Sequence, residues 1–247
     1  MIAHHTMPDG RPIAYRFTPG TGPLIAFLPG YMSDMAGGKA TALFDWAAAR
    51  GQACLLLDYS GCGQSPGDFA DGSLSRWRDE ALALIAAHTS GPVVLVGSSM
   101  GGWLMLLIAL EMQRGAIPAQ IAGLVGIAAA PDFTQWGYTP AQQSALAQGK
   151  TILEPNPYGP EPTPTHAKFW ADGQANLLLG TPIPLDAPIR LLQGEADTDV
   201  PPAIAHRLSA ALRSDDVQLT LVKGGDHRLS RAGDVALLLR TVTSLLD

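Results

Sequence analysis

The stretch Val93-Val94-Leu95-Val96-Gly97-Ser98-Ser99-Met100-Gly101-Gly102 joins an apolar run to a Gly-x-Ser-x-Gly pentapeptide and then to a second apolar segment. A strand that turns sharply into a helix at such a pentapeptide holds its serine out from the end of the strand, free for nucleophilic attack. So tight a turn leaves no room for side chains two residues before and two after the serine, and Gly97 and Gly101 stand there. Ser98 is the rival, but only Ser99 has glycine at both flanking positions. Ser99 is the expected nucleophile. The helix N-terminus beside it favours developing negative charge.

A serine hydroxyl at neutral pH needs a base to take its proton. Of the 6 histidines, His4 and His5 lie in the N-terminal tail, His88 and His206 on predicted helices, and His166 in a segment rich in aromatics and proline. His227 alone, within Gly224-Gly225-Asp226-His227-Arg228, falls in a loop between the last predicted strand and the last predicted helix. Loops of that kind are where an α/β sheet presents its chemistry. A carboxylate earlier in the chain is then needed to orient the imidazole and stabilise its charged form. The loop after Ile189-Arg190-Leu191-Leu192-Gln193-Gly194 offers Glu195, Asp197 and Asp199; Asp226 is weaker, because a side chain rarely turns back onto its neighbour's ring. On the residues alone that choice stays open.

Attack on a carbonyl puts charge on its oxygen, which preorganised N–H donors stabilise. The backbone N–H of Met100, next after the nucleophile, is one expected donor. The loop following Leu24-Ile25-Ala26-Phe27-Leu28 continues Pro29-Gly30-Tyr31, where Gly30 permits close approach and the Tyr31 N–H becomes the second donor.

These residues must be carried by elements that bring distant loops together. Short apolar runs alternate with amphipathic segments, the pattern of parallel strands between covering helices. Candidate strands are Ile13 to Phe17, Leu24 to Leu28, Ala53 to Leu57, Val93 to Val96, Ile121 to Ile127, Ile189 to Leu192 and Val217 to Val222, which predicts an α/β fold with a sheet of about seven or eight strands. Helical periodicity links Leu74, Trp77, Ala81, Leu84, Ile85 and His88 after the possible caps Asp71 and Ser73. It also links Ile204, Leu208, Ala211 and Leu212, and again Val235, Leu238, Leu239, Val242, Leu245 and Leu246. Gly101 to Met112 is apolar nearly all round and must be enclosed on several sides.

Residues 131–180 break the alternation. They carry Phe133, Trp136, Tyr138, Tyr158, Phe169 and Trp170, and the prolines between Pro155 and Pro164 forbid a continuous helix or central strand there. The expected organisation is a core made of residues 1–130 and 181–247 with a cap insertion over 131–180. Phe133, Trp136 and Trp170 are the candidate substrate contacts, although the same rings would also serve to fasten the insertion to the core.

Bulk composition narrows the field. The chain has 247 residues, 47% hydrophobic and 15% charged, with a net charge of −6 and no basic run that could follow a phosphate backbone, so nucleic-acid binding is not expected. The longest strongly apolar stretch, Trp103 to Leu110, is about half of what a membrane span needs. The opening residues lack the pattern of a secretory or transit segment, which makes a cytoplasmic location the expectation. Two cysteines, Cys54 and Cys62, are too few for a disulfide framework or a thiolate zinc site and are expected to be free, non-catalytic thiols. No metal or other cofactor is called for.

The stretches Leu28-Pro29-Gly30-Tyr31-Met32-Ser33, Asp58-Tyr59-Ser60-Gly61, Gly97-Ser98-Ser99-Met100-Gly101-Gly102-Trp103-Leu104-Met105, Pro188-Ile189-Arg190-Leu191-Leu192 and Asp226-His227-Arg228 resemble, in combination, the α/β-hydrolase-domain-containing protein 10 group of the α/β-hydrolase superfamily. The group comprises mitochondrial acyl-protein thioesterases, also described as acyl-glucuronide esterases, with bacterial relatives. The resemblance runs from about residue 10 to the end of the chain, matches less well from Phe133 to Trp170, and implies an α/β-hydrolase fold. It implies Ser99, Asp197 and His227 as a triad, no cofactor, and hydrolysis of carboxylic esters or of thioesters such as S-palmitoyl cysteine, so that small molecules or acylated proteins are the expected partners. The missing transit segment fits a prokaryotic cytoplasmic relative. Other readings are an acyltransferase using the same acyl-enzyme, a peptidase, for which no charged motif to hold a chain terminus is evident, and a non-catalytic binding protein on the same fold.

Overall fold

A computed structural model describes residues 1–156 and 159–246. Its centre is a mixed sheet of eight strands: β1 (Ala3–Thr6), β2 (Pro12–Thr18), β3 (Thr21–Leu28), β4 (Gln52–Leu57), β5 (Pro92–Ser98), β6 (Gln120–Ile127), β9 (Ile189–Gly194) and β10 (Val217–Val222). Between β6 and β9 the chain also forms a small antiparallel pair, β7 (Ile152–Glu154) and β8 (Thr163–Thr165). The order across the large sheet is β1-β2-β4-β3-β5-β6-β9-β10, with β2 antiparallel to both its neighbours and every other pair parallel.

Strand alternation divides the core in two. Val93 and Leu95 of β5 pack into the cluster on one face, against Trp77 of α2 (Leu74–His88) and Trp103 of α3 (Met100–Gln113). Val94 and Val96 point to the other face, with Leu43 of α1 (Gly38–Ala49) and Leu238 of α8 (Ala232–Thr243). A strand covered on both sides reads as a continuous apolar run, which is what β5 is. α3 is buried along nearly its whole length, as an all-round apolar helix must be. α2 begins where Ser73 Oγ accepts from the Arg76 N–H at 3.2 Å; Asp71 sits in a preceding 3₁₀ turn instead. α7 (Pro202–Ala211) completes the cover between β9 and β10.

The segment between β6 and β9 holds α4 (Phe133–Trp136), α5 (Pro140–Ala147), the β7–β8 pair and α6 (Ala167–Ala175). Its two ends are tied by Asp132, a buried carboxylate that accepts from the N–H groups of Leu178 at 2.8 Å and Leu179 at 2.7 Å. Tyr158 and Pro157 lie outside the described residues. No helix among the described residues is long and apolar enough to cross a membrane.

Register carries the strand ends to one line. Leu28 pairs with Gly97, Ser98 with Ile127, Ile127 with Leu192, and Gly194 with Val222, so the loops after β3, β5, β9 and β10 leave the sheet side by side.

Candidate active site

Ser99 stands between β5 and α3 with φ 55° and ψ −120°, a backbone conformation that side chains other than glycine rarely adopt. Its neighbours enforce it. A Cβ at Gly97 would run into the Gly101 carbonyl, and one at Gly101 into the carbonyls of Leu28 and Pro29. The Ser99 N–H donates to the Ile127 carbonyl at 2.9 Å, and the Ser99 carbonyl accepts from the Ala130 N–H at 3.0 Å. The turn is thus held by β6 and the residues that follow it.

His227, in the loop after β10, lies with Nε2 at 3.1 Å from Ser99 Oγ and Nδ1 at 2.9 Å from Asp197 Oδ2. An ionised carboxylate only accepts, so Nδ1 carries the proton and a neutral ring leaves Nε2 to accept from the serine hydroxyl. The Asp197 side chain is 0% exposed and that of His227 15%. Burial pushes the Asp197 carboxyl up, but the hydrogen bonds from His227 and from the Val200 and Asp199 amides outweigh it and hold the group below its ordinary range. Of the acids left open by the sequence, the geometry joins Asp197 to the histidine; the Asp226 carboxylate accepts instead from the Leu229 N–H at 3.0 Å.

The two loops meet because Gly194 and Gly225 let them. A Cβ at Gly194 would strike the Gly225 carbonyl, and the Ala196 N–H donates to that carbonyl at 2.9 Å. On the far side, Lys39 Nζ of α1 donates to the Arg228 carbonyl, next to the histidine. Burial, with the neighbouring Arg228 charge, brings the Lys39 amine down to about 8.

Ser99 and His227 open onto a cavity of about 700 Å³, within the roughly 300–1,000 Å³ usual for small-molecule sites. Met100, Gly30 and Tyr31 also line it. Gly30 abuts Ser99, where a Cβ would come to 3.3 Å from that of the serine. Neither the Met100 nor the Tyr31 backbone N–H donates to another group among the described residues.

A family model described as the Alpha/beta hydrolase family matches residues 25–236, spanning every element from β3 into α8. The chain belongs to this family. Human mitochondrial palmitoyl-protein thioesterase ABHD10 is 36% identical over 244 residues, covering 97% of this chain and 78% of that protein. Among solved structures, a protein from Agrobacterium vitis S4 superimposes with a TM-score of 0.92 at 38% identity, all of both chains being covered. Mouse alpha/beta hydrolase domain-containing protein 10 gives 0.89 at 32%, covering 100% of this chain and 98% of that one.

In this α/β hydrolase, Phe133 and Trp136 line the cavity together with Tyr138, Glu154, Pro155 and Thr165 from the β6–β9 segment. Trp170 does not line it. Its indole donates to the Thr134 carbonyl at 3.0 Å and fastens α6 to α4, so here the fastening role of the aromatics prevails. Phe169 is buried against Tyr31, Trp77 and Phe133. Three contributors escape a reading of the sequence: Gln193, Gly194 and Lys39. Lys39 gave no signal, because a lone lysine on a helix is ordinary; a glutamine inside an apolar strand was the visible anomaly.

Proposed function

We propose that this protein is a serine hydrolase that cleaves carboxylic esters or thioesters through an acyl-enzyme. One observation carries the reading: Ser99, His227 and Asp197 form a single hydrogen-bonded chain, and its Ser99 and His227 line the cavity. His227 Nε2 takes the Ser99 proton as Oγ attacks the acyl carbon. The Met100 and Tyr31 amides receive the oxyanion, and Asp197 stabilises the imidazolium. His227 then returns the proton to an alcohol leaving group, or a thiolate departs with less need of it. Water deprotonated by the same ring releases the acid and regenerates Ser99.

The cavity lining bears on the substrate. Phe133, Trp136 and Tyr138 offer aromatic faces to an acyl group, while Ser33, Lys39 and Arg228 come from other elements and offer polar contacts to the leaving group. The likeness to a palmitoyl-protein thioesterase supports including acyl thioesters in the substrate class. The decisive experiment compares wild type with Ser99→Ala on matched p-nitrophenyl ester and acyl-thioester series of rising chain length. Activity that depends on Ser99, with labelling by a fluorophosphonate, is the expected result. Equal rates in both proteins, or none in either, would sink the reading and favour a binding protein on this fold.

A further inference from the structure

Gln193 is out of place in its strand. β9 is otherwise mostly apolar at this end, yet this amide is 1% exposed, in a setting where glutamine is uncommon. Its Nε2 donates to Asp197 Oδ2 at 3.0 Å, to the Val200 carbonyl at 3.1 Å and to the Gly194 carbonyl at 3.2 Å. Its Oε1 has no hydrogen-bond partner among the described residues. Turning the amide over would set Oε1 against those same acceptors, so the orientation follows from them.

The Nε2 end meets the oxygen that matters. Asp197 Oδ1 accepts from the backbone amides of Asp199 at 2.9 Å and Val200 at 2.8 Å, whereas Oδ2, among the described residues, accepts from two side chains, His227 Nδ1 and Gln193 Nε2. We infer that Gln193 is a positioning residue for the serine–histidine–aspartate chain: its N–H holds Asp197 Oδ2 and draws charge from this oxygen, which holds His227. The inference rests on the hydrolase reading above. With the donor in place, Oδ2 grips the imidazolium less tightly, and the ring gives up its proton more readily to the leaving group. Without it, Oδ1 stays on its two backbone amides while Oδ2, with one donor fewer, binds the charged ring more strongly.

The test uses Gln193→Met, which keeps length but removes the donor, and Gln193→Glu, which keeps shape but sets a second carboxyl beside Asp197. The other ionisable groups around the site are Glu195 and Asp199 on the β9–α7 loop, Asp226 and Arg228 on the β10–α8 loop, Asp234 on α8 and Lys39 on α1; all stay the same in both variants. The readout is kcat/KM against pH on a p-nitrophenyl ester. For Gln193→Met the alkaline plateau falls roughly 10-fold, through kcat more than KM, and the acid limb moves up by about half a pH unit. For Gln193→Glu the limb moves further in the same direction. A Met variant that melts like wild type and keeps its acid limb, even with a uniformly lower rate, would overturn the inference, since packing alone then explains the residue. Should Gln193→Met fail to fold, Gln193→Glu is judged by the same limb. Failure of the hydrolase reading looks different: activity would survive Ser99→Ala, or be missing from the wild type itself, whatever happens at position 193.

Discussion

The Tyr31 hydroxyl donates to the Pro164 carbonyl at 2.9 Å, joining the loop after β3 to strand β8. The ring between them packs against Phe69, Phe133 and Phe169 at centroid distances of 5.0, 5.9 and 4.8 Å. The residue proposed to supply the second oxyanion amide therefore also fastens the β6–β9 segment to the loop after β3.

Tyr31→Phe keeps the ring and removes that bond. The expected cost is about 1 kcal/mol of stability and a several-fold fall in kcat with little change in KM, because the amide is proposed to act on the transition state. Steady-state kinetics and urea unfolding measure both. An unchanged kcat would show that the hydroxyl does not help to set the amide.

Ser99 is held at φ 55° without glycine's freedom, a conformation that costs of order 1–3 kcal/mol. Ser99→Gly relieves this strain and Ser99→Ala does not, while both remove the hydroxyl. The glycine variant should unfold at a higher urea concentration than the alanine variant by the equivalent of about 1 kcal/mol, after the entropy of a more flexible unfolded chain is subtracted. Alanine proving the more stable would mean the turn is unstrained.

Asp197 has its folded-state pKa held below the ordinary carboxylate value of 3.8. A group so depressed contributes stability that is fully present above the unfolded value and is lost as pH falls through the folded one. The stability gap between wild type and Asp197→Asn should therefore narrow only below about pH 4. Chemical unfolding at a series of acid pH values follows it, and a gap that widens on acidification contradicts the assignment.

Cys54 and Cys62 are 0% and 7% exposed. Burial pushes both thiols up to about 12, with the Asp58 and Glu80 charges adding to the effect at Cys62. Reaction needs the thiolate, so iodoacetamide at neutral pH should label neither cysteine in the folded protein and both after denaturation. Mass spectrometry counts the adducts. Rapid labelling of native Cys62 would show the loop around Gly61 and Gly63 opening.

Much of this was legible in the sequence where one requirement governs one residue. Gly97 and Gly101 announce the turn because no other residue fits, and the seven inferred strands all occur: six carry buried apolar residues, and β10, at the sheet edge and at most half-buried, still reads Val-Gln-Leu-Thr-Leu-Val. The eighth, β1, is exposed at the sheet edge and reads Ala-His-His-Thr, without an apolar face to betray it. α1 was also passed over, although Ala40, Leu43, Phe44 and Ala47 have the spacing of a buried helical face. Trp170 was harder, since a ring that lines a cavity and one that fastens a helix look the same until the helix is placed. The approach of Gly194 to Gly225, which brings acid and base together, belongs to tertiary structure and has no local signature.

The common polarity of the strands bearing the site has a practical consequence. The connections that enter the parallel strands β4, β5, β6 and β10, at residues 50–51, 89–91, 114–119 and 212–216, contribute nothing to the cavity wall among the described residues. They form a chemically idle end of the molecule, where a fused domain, an affinity handle or a covalent tether to a solid support leaves the mouth above Ser99 open to substrate.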